Sequence, residues 1–595
     1  MAKRKRSGTG PAVEVYSEWV RVDPISGRLI DEAALSDPSA ARLEDGDGCV
    51  RLAAAKNEYV SLQVVVRSGS RVGEIRLTFP GLDGPRGKTI GKSEFEPHVE
   101  WYHDLGDPHG WVPDALVPVK RLSEPVGIPW KMVGVPNQTA QGFWLDLFVP
   151  RDAAKGTYRG VLAVTCDVTR QEIPLEIEVG SFAIPDACSQ VADMNSYACG
   201  VASGWQDLRD SETDRDSADY RKAEKNTYRA AHEHRALLHY LPYSHSGAIR
   251  HPTLIPELTG KGKDIRVKAW GKYDRHVGGY LDGSAFKTTR RGAIPIPYFY
   301  TPQNFHWPAD FVNYRKKGYA TEWRRIGREF VDHFREKGWT DTKFELFFNH
   351  KQRYKYYPYD GDEIRFLEDT EHMYHFRDLG KGVYDEADPV SFIWRVDSSW
   401  VFAKHSKTDL TDFVKLWVVN SGCMAEAPES IGPMHRKGCD LFHYGGGSGL
   451  DTPLSWVWMW PVKTLGRRVE GFTWWQAVGW HPDIWRTSRD RYATTVFFPG
   501  TPWGSREVVG GIRAKVLRNA MQTIEYAYML DEKKKPGAGI KVINGVLGTD
   551  TDFWWSAGRP PRSGSDAASM DHRILSDPLS WHAVRAALAE AVETA

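Results

Sequence analysis

The chain changes texture at Pro185, and that change restricts the fold more than any single motif does. Up to that point the sequence runs in short stretches of alternating apolar and polar residues, such as Tyr59-Val-Ser-Leu-Gln-Val-Val-Val and Ile173-Pro-Leu-Glu-Ile-Glu-Val, separated by Gly, Pro and Asp. Period-two alternation between frequent turn signals predicts an antiparallel β-sandwich of immunoglobulin-like kind over 11–185. Beyond Pro185 short apolar runs alternate with amphipathic helical stretches. Candidate strands are 191–197, 236–241, 294–300, 344–349, 390–396, 414–419, 440–444 and 471–475. The clearest helix runs from Glu322 to Gly338, where Trp323, Ile326, Phe330 and Phe334 share a face and Gly338 provides the stop.

Eight such units predict a (β/α)8 TIM-like barrel over 186–532, so the fold class is multidomain, all-β followed by α/β. An open nucleotide-binding sheet would want a Gly-rich loop after its first strand, and Met194-Asn-Ser-Tyr-Ala-Cys-Gly does not supply one. The remaining 533–595 reads as a C-terminal extension packing on the barrel, with a strand-like Ile540-Lys-Val-Ile-Asn and a helix from Trp581 onward.

Composition enters where partners are concerned. Positive and negative side chains nearly cancel, 78 against 77, so no overall field favours nucleic acid or an anionic membrane. No apolar run is long enough to span a bilayer. Six cysteines are scattered without a Cys-x-x-Cys pair, so neither a zinc cluster nor a disulfide framework is expected. Asp360-Gly-Asp-Glu363 lacks the full spacing of a calcium loop and reads as a solvated loop, and no cofactor is expected. The chain as given shows no signal peptide, and its compartment is open. Its aromatic content is what stands out: 24 Trp, 25 Tyr and 24 Phe. Flat apolar faces edged with polar donors suit sugar rings as well as large cores.

In a parallel barrel, chemistry gathers at the carboxyl ends of the strands. The fourth candidate strand, Lys343-Phe-Glu-Leu-Phe-Phe, ends in Asn349 and His350, and Glu345 shares the parity of Phe347 and Asn349, so it can face the barrel interior. An acid buried there needs a partner such as Arg395 or a raised pKa; facing inward, it is a candidate general acid. Other strand ends contribute Asp193 and Tyr197, Tyr300, Arg395 and Asp397, His443, Tyr444 and Asp451, and Trp474 and Trp475. Aromatic walls with a few acids and donors suit a neutral carbohydrate better than a phosphate or a hydride donor.

The blocks Lys56-Asn-Glu-Tyr-Val-Ser-Leu-Gln63, 143–160, 465–475, Phe498-Pro-Gly500 and 511–530, in order over most of the chain, resemble those of glycoside hydrolase family 123-like proteins with a DUF4091 catalytic domain. The resemblance implies a sandwich, a barrel and retaining β-N-acetylgalactosaminidase chemistry. In that family an adjacent Asp-Glu pair ends the fourth barrel strand: the Asp orients the substrate's own acetamido group as nucleophile and the Glu protonates the leaving oxygen. Here the matching positions hold Asn349 and His350, followed by Lys351 in place of proline. Three readings stay open. The acids have moved to other strands, with Asp397 first and Asp193, Glu426 or Asp451 behind it; the enzyme cleaves a different sugar with two ordinary carboxylates; or the chain is a catalytically silent carbohydrate-binding relative.

Overall fold

The computed structural model of the protein describes residues 10–30, 32, 35–197, 200–210, 216–241, 255–304, 307–309, 313, 315–348, 363–364, 370–446, 448–486, 494–556, 577 and 579–595. Two sheets form the amino-terminal sandwich. One orders Ala12–Ser17, Glu58–Arg67, Ala140–Val149, Phe95–Asp104 and Trp111–Pro118; the other orders Val50–Lys56, Thr169–Ala183, Gly156–Cys166, Gly81–Asp83 and Thr89–Gly91. In Thr169–Ala183 the alternation works as read: Ile173, Leu175, Ile177 and Val179 are buried while Glu172 and Glu178 face water. Glu58–Arg67 departs from it, being buried on both faces except at Arg67. Its second face is covered at Tyr59 and Ser61 by the helix Ile512–Lys533, itself buried along most of its length, and at Gln63 by the segment around Ser17 and Val20, whose carbonyls accept from the Gln63 amide.

Eight parallel strands follow: Val191–Tyr197, Leu237–Leu241, Tyr298–Tyr300, Lys343–Phe347, Phe392–Ser398, Val414–Asn420, Asp440–Gly446 and Gly471–Trp475. Pairing runs in chain order from the third to the eighth, then from the eighth to the first and from the first to the second. The barrel is thus nearly closed. Between the second and third strands no ladder forms among the described residues; there the His239 ring stacks on Tyr300 with centroids 3.8 Å apart, so side chains bridge the seam. The third strand is shorter than its sequence run because Pro295 and Pro297 cannot donate to a ladder.

One expectation for the carboxyl-terminal part needs correction. Ile540-Lys-Val-Ile-Asn is helical, within Ala538–Leu547, and buries Ile540 and Ile543, three residues apart, on one face. That helix lies so close to Ile512–Lys533 that a Cβ at Gly539 would stand 2.5 Å from the Ala527 Cβ. The final helix, Ser580–Thr594, packs mainly on the barrel-side helices and also touches the sandwich: Arg585 pairs with Glu58 at 2.9 Å, and the Ser181 hydroxyl donates to Glu593 at 2.7 Å. It joins the two units instead of covering one.

Candidate active site

Strand parity decides which side chains enter the barrel. On the fourth strand Phe344 and Leu346 pack outward, so Lys343, Glu345 and Phe347 point inward. The same reasoning places Asp193 and Asn195, His239, Tyr298 and Tyr300, and Arg395 and Asp397 inside. They form layers. At the amino-terminal end Asp440 accepts hydrogen bonds from the Tyr298 hydroxyl and the Lys343 ammonium.

Above that lies an alternating chain of charges. Asp193 Oδ1 stands 3.1 Å from His239 Nδ1, and His239 Nε2 stands 3.0 Å from Glu345 Oε1. Glu345 Oε2 accepts from Arg395 at 2.9 Å, and Arg395 Nε donates to Asp397 Oδ1, also at 2.9 Å. The Tyr300 hydroxyl oxygen accepts from both Arg395 and Asn195, and Thr473 donates to Asp193. Of the five charged groups only Asp397 keeps contact with solvent, at 19% side-chain exposure. It is also the one nearest the carboxyl end of its strand.

Charge buried in a dry interior persists only when paired. Burial alone would lower the His239 pKa, but the Glu345 and Asp193 carboxylates outweigh it and raise the imidazole to about 9, so it is an imidazolium at neutral pH. Burial pushes Glu345 up, while His239 and Arg395 together hold it below its ordinary value. Glu345 does face inward, as parity predicted, but clamped between two cations it is an anion and not a proton donor. Within these five groups, three acidic side chains face one guanidinium and one imidazolium.

A pH dependence of stability follows. His239 has its folded pKa raised from an unfolded value near 6.5, so its contribution is whole below about 6.5 and is lost as pH rises through about 9. The difference corresponds to roughly 3 kcal/mol. The apparent Tm of the wild type is expected to fall more steeply between those two pH values than that of His239→Gln. Parallel curves would show that His239 is neutral in the folded protein.

Above the charged layer Tyr300, Phe347 and the half-buried Trp475 form an aromatic cluster, with the Arg395 guanidinium 4.5 Å from the Phe347 ring centroid. Directly after Trp475, Gln476 adopts a left-handed backbone at φ +60, an uncommon conformation for a non-glycine residue and one that collects at functional sites. The structure therefore brings together Glu345, Asp397, Asp193, Tyr300, Arg395 and Trp475. It separates others. His443 lies outside the barrel wall, bonded to Ser421 and Thr464 and stacked on Trp460, and burial lowers its pKa to about 3. Trp474 is fully buried and donates its indole N–H to the Thr494 carbonyl. Neither can reach a sugar at the mouth. Tyr444 is half-buried, and Asp451 and Glu426 are exposed beyond their strand ends. Asn349, His350 and the Tyr197 side chain lie outside the described residues, as does Asp360-Gly-Asp of the acidic loop.

His239 was not found from sequence. It sits in the middle of Leu237–Leu241, and attention to strand ends passes over it; a lone imidazole flanked by Leu on alternate sides was the available signal. Among the described residues no group of three His, Cys, Asp or Glu is arranged to hold a metal ion, and no helix is long and apolar enough to cross a membrane.

A β-sandwich joined to a nearly closed parallel barrel, with aromatic and charged side chains inside the barrel's carboxyl end, defines a class of two-domain α/β protein. Residues 41–166 match the glycoside hydrolase 123 N-terminal domain. A family 123 glycoside hydrolase from Clostridium perfringens, studied for glycolipid glycan hydrolysis, superposes with a TM-score of 0.67 at 12% identity, over 99% of this chain and 98% of that one. The chain thus carries a match to that family's N-terminal domain and shares the fold of that enzyme from end to end. Weaker likenesses reach a putative alpha-galactosidase from Bacteroides fragilis (TM-score 0.27, 10% identity, 79% of this chain and 77% of that one) and a GH10 xylanase from termite gut (0.30, 9%, 80% and 100%). No curated protein matches the chain.

Proposed function

We propose that the protein is a glycoside hydrolase acting on a carbohydrate at the barrel mouth, with catalytic residues unlike the family's Asp-Glu pair. The observation that carries this reading is the chain of paired charges in which Asp397 is the most exposed member. Glycoside cleavage passes through a cation, an oxocarbenium or an oxazolinium, and a fixed anion in a poorly solvated site stabilises charge that develops there. Asp397 is the group in that chain exposed to a substrate. Arg395 holds it in position, and Glu345 with His239 holds Arg395.

Glu345 is held ionised by two cations and the protonated His239 is buried away from the mouth, so neither can protonate a leaving group. We assign the proton donor to His350, with Asn349 beside it hydrogen-bonding an acetamido or ring hydroxyl; histidine titrates near neutral pH and can fill the acid's place. Trp475 and Tyr444 supply faces for the sugar rings. A second reading, carbohydrate binding without hydrolysis, draws support from Glu345, whose carboxyl is held ionised by two cations and cannot donate.

The test is sugar release from aryl glycosides and natural glycans, β-N-acetylgalactosaminides included, by the wild type and His350→Ala. Release of the acetamido sugar, lost in His350→Ala, is the expected result. Measurable binding of a glycan without release from any substrate would replace hydrolysis by the binding reading.

A further inference from the structure

A cavity of about 400 Å³ lies at the end of the barrel opposite the mouth, where the first four strands begin. Its wall is mostly apolar, with Leu237, Phe286 and Ile296 among the lining residues, but two guanidinium groups, Arg235 and Arg291, border it together with the half-buried Cys188. Size and composition match a site for a small organic molecule.

The cations are incompletely satisfied. Arg235 is 4% exposed; its terminal nitrogens donate to the carbonyls of Pro185 and Ala187 and to Glu525, but its Nε–H, fully buried, has no acceptor in the protein. Arg291 donates to the carbonyls of Asp186 and His232, at 2.7 and 2.9 Å, and among the described residues no carboxylate stands within ion-pair distance of it. Burial accordingly lowers its pKa. Glu525, in contact with Arg235, is taken up by that guanidinium and by the Ser189 hydroxyl, and the cavity's own lining acid, Asp341, is exposed and forms no ion pair with either guanidinium. A buried donor without a partner costs about 1–3 kcal/mol unless something occupies the space beside it.

We propose that this cavity binds a small carboxylate borne on an apolar body, its oxygens received by Arg235 and Arg291 and its hydrocarbon by the apolar wall. Guanidinium is the side chain whose planar donors suit a carboxylate, and the charge-assisted bonds formed are the strong ones. The site is independent of the chemistry at the mouth.

Three probes separate the elements of the proposal: octanoate, its neutral counterpart 1-octanol, and inorganic phosphate. Two readouts apply to the intact protein, the shift in Tm and the rate of Cys188 alkylation by iodoacetamide, followed by peptide mass mapping. Octanoate is expected to raise Tm and to slow alkylation of Cys188, whereas octanol and phosphate leave both nearly unchanged. In Arg291→Gln the octanoate Kd should rise about tenfold. Absence of Cys188 protection by octanoate in the wild type overturns the proposal, and that arm needs no variant to fold. Protection by octanol as strong as by octanoate would show an apolar void, and protection by phosphate as strong would show a bare anion site; either result overturns it as well.

Discussion

Asp146→Ala should lower the apparent Tm by something near 10 °C, more than any substitution at an exposed position. Asp146 is fully buried on the sandwich strand Ala140–Val149 and faces the helix Ile512–Lys533. It accepts from Lys515 at 2.6 Å and from Arg518 at 2.9 and 2.8 Å, and also from Ser61 and the Trp144 indole. Burial pushes its carboxyl up, but the two cations hold it well below the ordinary range. Removing it leaves an ammonium and a guanidinium in a dry interface with nothing to neutralise them, at a cost of about 3–5 kcal/mol. The control is the triple variant Asp146→Leu, Lys515→Met, Arg518→Met. Replacing the whole charged set by apolar groups of similar size should recover much of the loss, because the penalty arises from the uncompensated cations. If the triple variant melts as low as the single one, the carboxylate contributes through some route other than pairing.

Asp397→Asn is expected to cut kcat by 10²- to 10⁴-fold, roughly 3 to 5 kcal/mol of transition-state stabilisation, with a much smaller effect on KM. The substitution keeps the shape and an oxygen for Arg395 but removes the negative charge that opposes a developing sugar cation. Binding of the neutral ground state depends little on that charge, so the loss should fall on kcat. Arg395→Lys offers a graded comparison: the ammonium retains the charge but cannot bridge Glu345, Tyr300 and Asp397 at once, as the guanidinium does. Asp397→Asn with kcat within threefold of the wild type would remove Asp397 from the mechanism, and attention would pass to the acids beyond the strand ends.

Both predictions rest on interior polar groups, and these were the hardest part of the molecule to read beforehand. The eight strands were legible because a parallel barrel needs a short apolar run before each helix, and Val191–Tyr197 and Gly471–Trp475 fall where the runs do. Glu345 and its partner Arg395 were also legible, since parity along Lys343–Phe347 fixes the facing of one and a buried acid demands the other. Reading strand ends without parity is what admitted His443 and Trp474. Asp440 and Tyr298 are in contact inside the barrel, so His443, an odd number of positions from Asp440, must point out of it. His239 needed a different cue, a single imidazole among leucines in a strand core. The helix Ala538–Leu547 defeated local reading because Ile-Lys-Val-Ile suits a strand when taken alone; only its packing against Ile512–Lys533 at Gly539 selects the helical period.

The helix Ile512–Lys533 also makes a contact at its beginning. Arg513 holds Asp114 of the sandwich through two hydrogen bonds, Nε at 3.1 Å and a terminal nitrogen at 2.8 Å, and its other terminal donors reach the carbonyls of Ser448 and Thr495 at 2.6 Å. Those carbonyls belong to segments leaving the seventh and eighth barrel strands on the mouth side. One side chain therefore fastens the amino-terminal unit to the rim of the barrel mouth. For protein engineering the two units are not interchangeable cassettes: a graft of a foreign sandwich would have to bring its own counterpart of Asp114, or the segments after the seventh and eighth strands would lose their anchor.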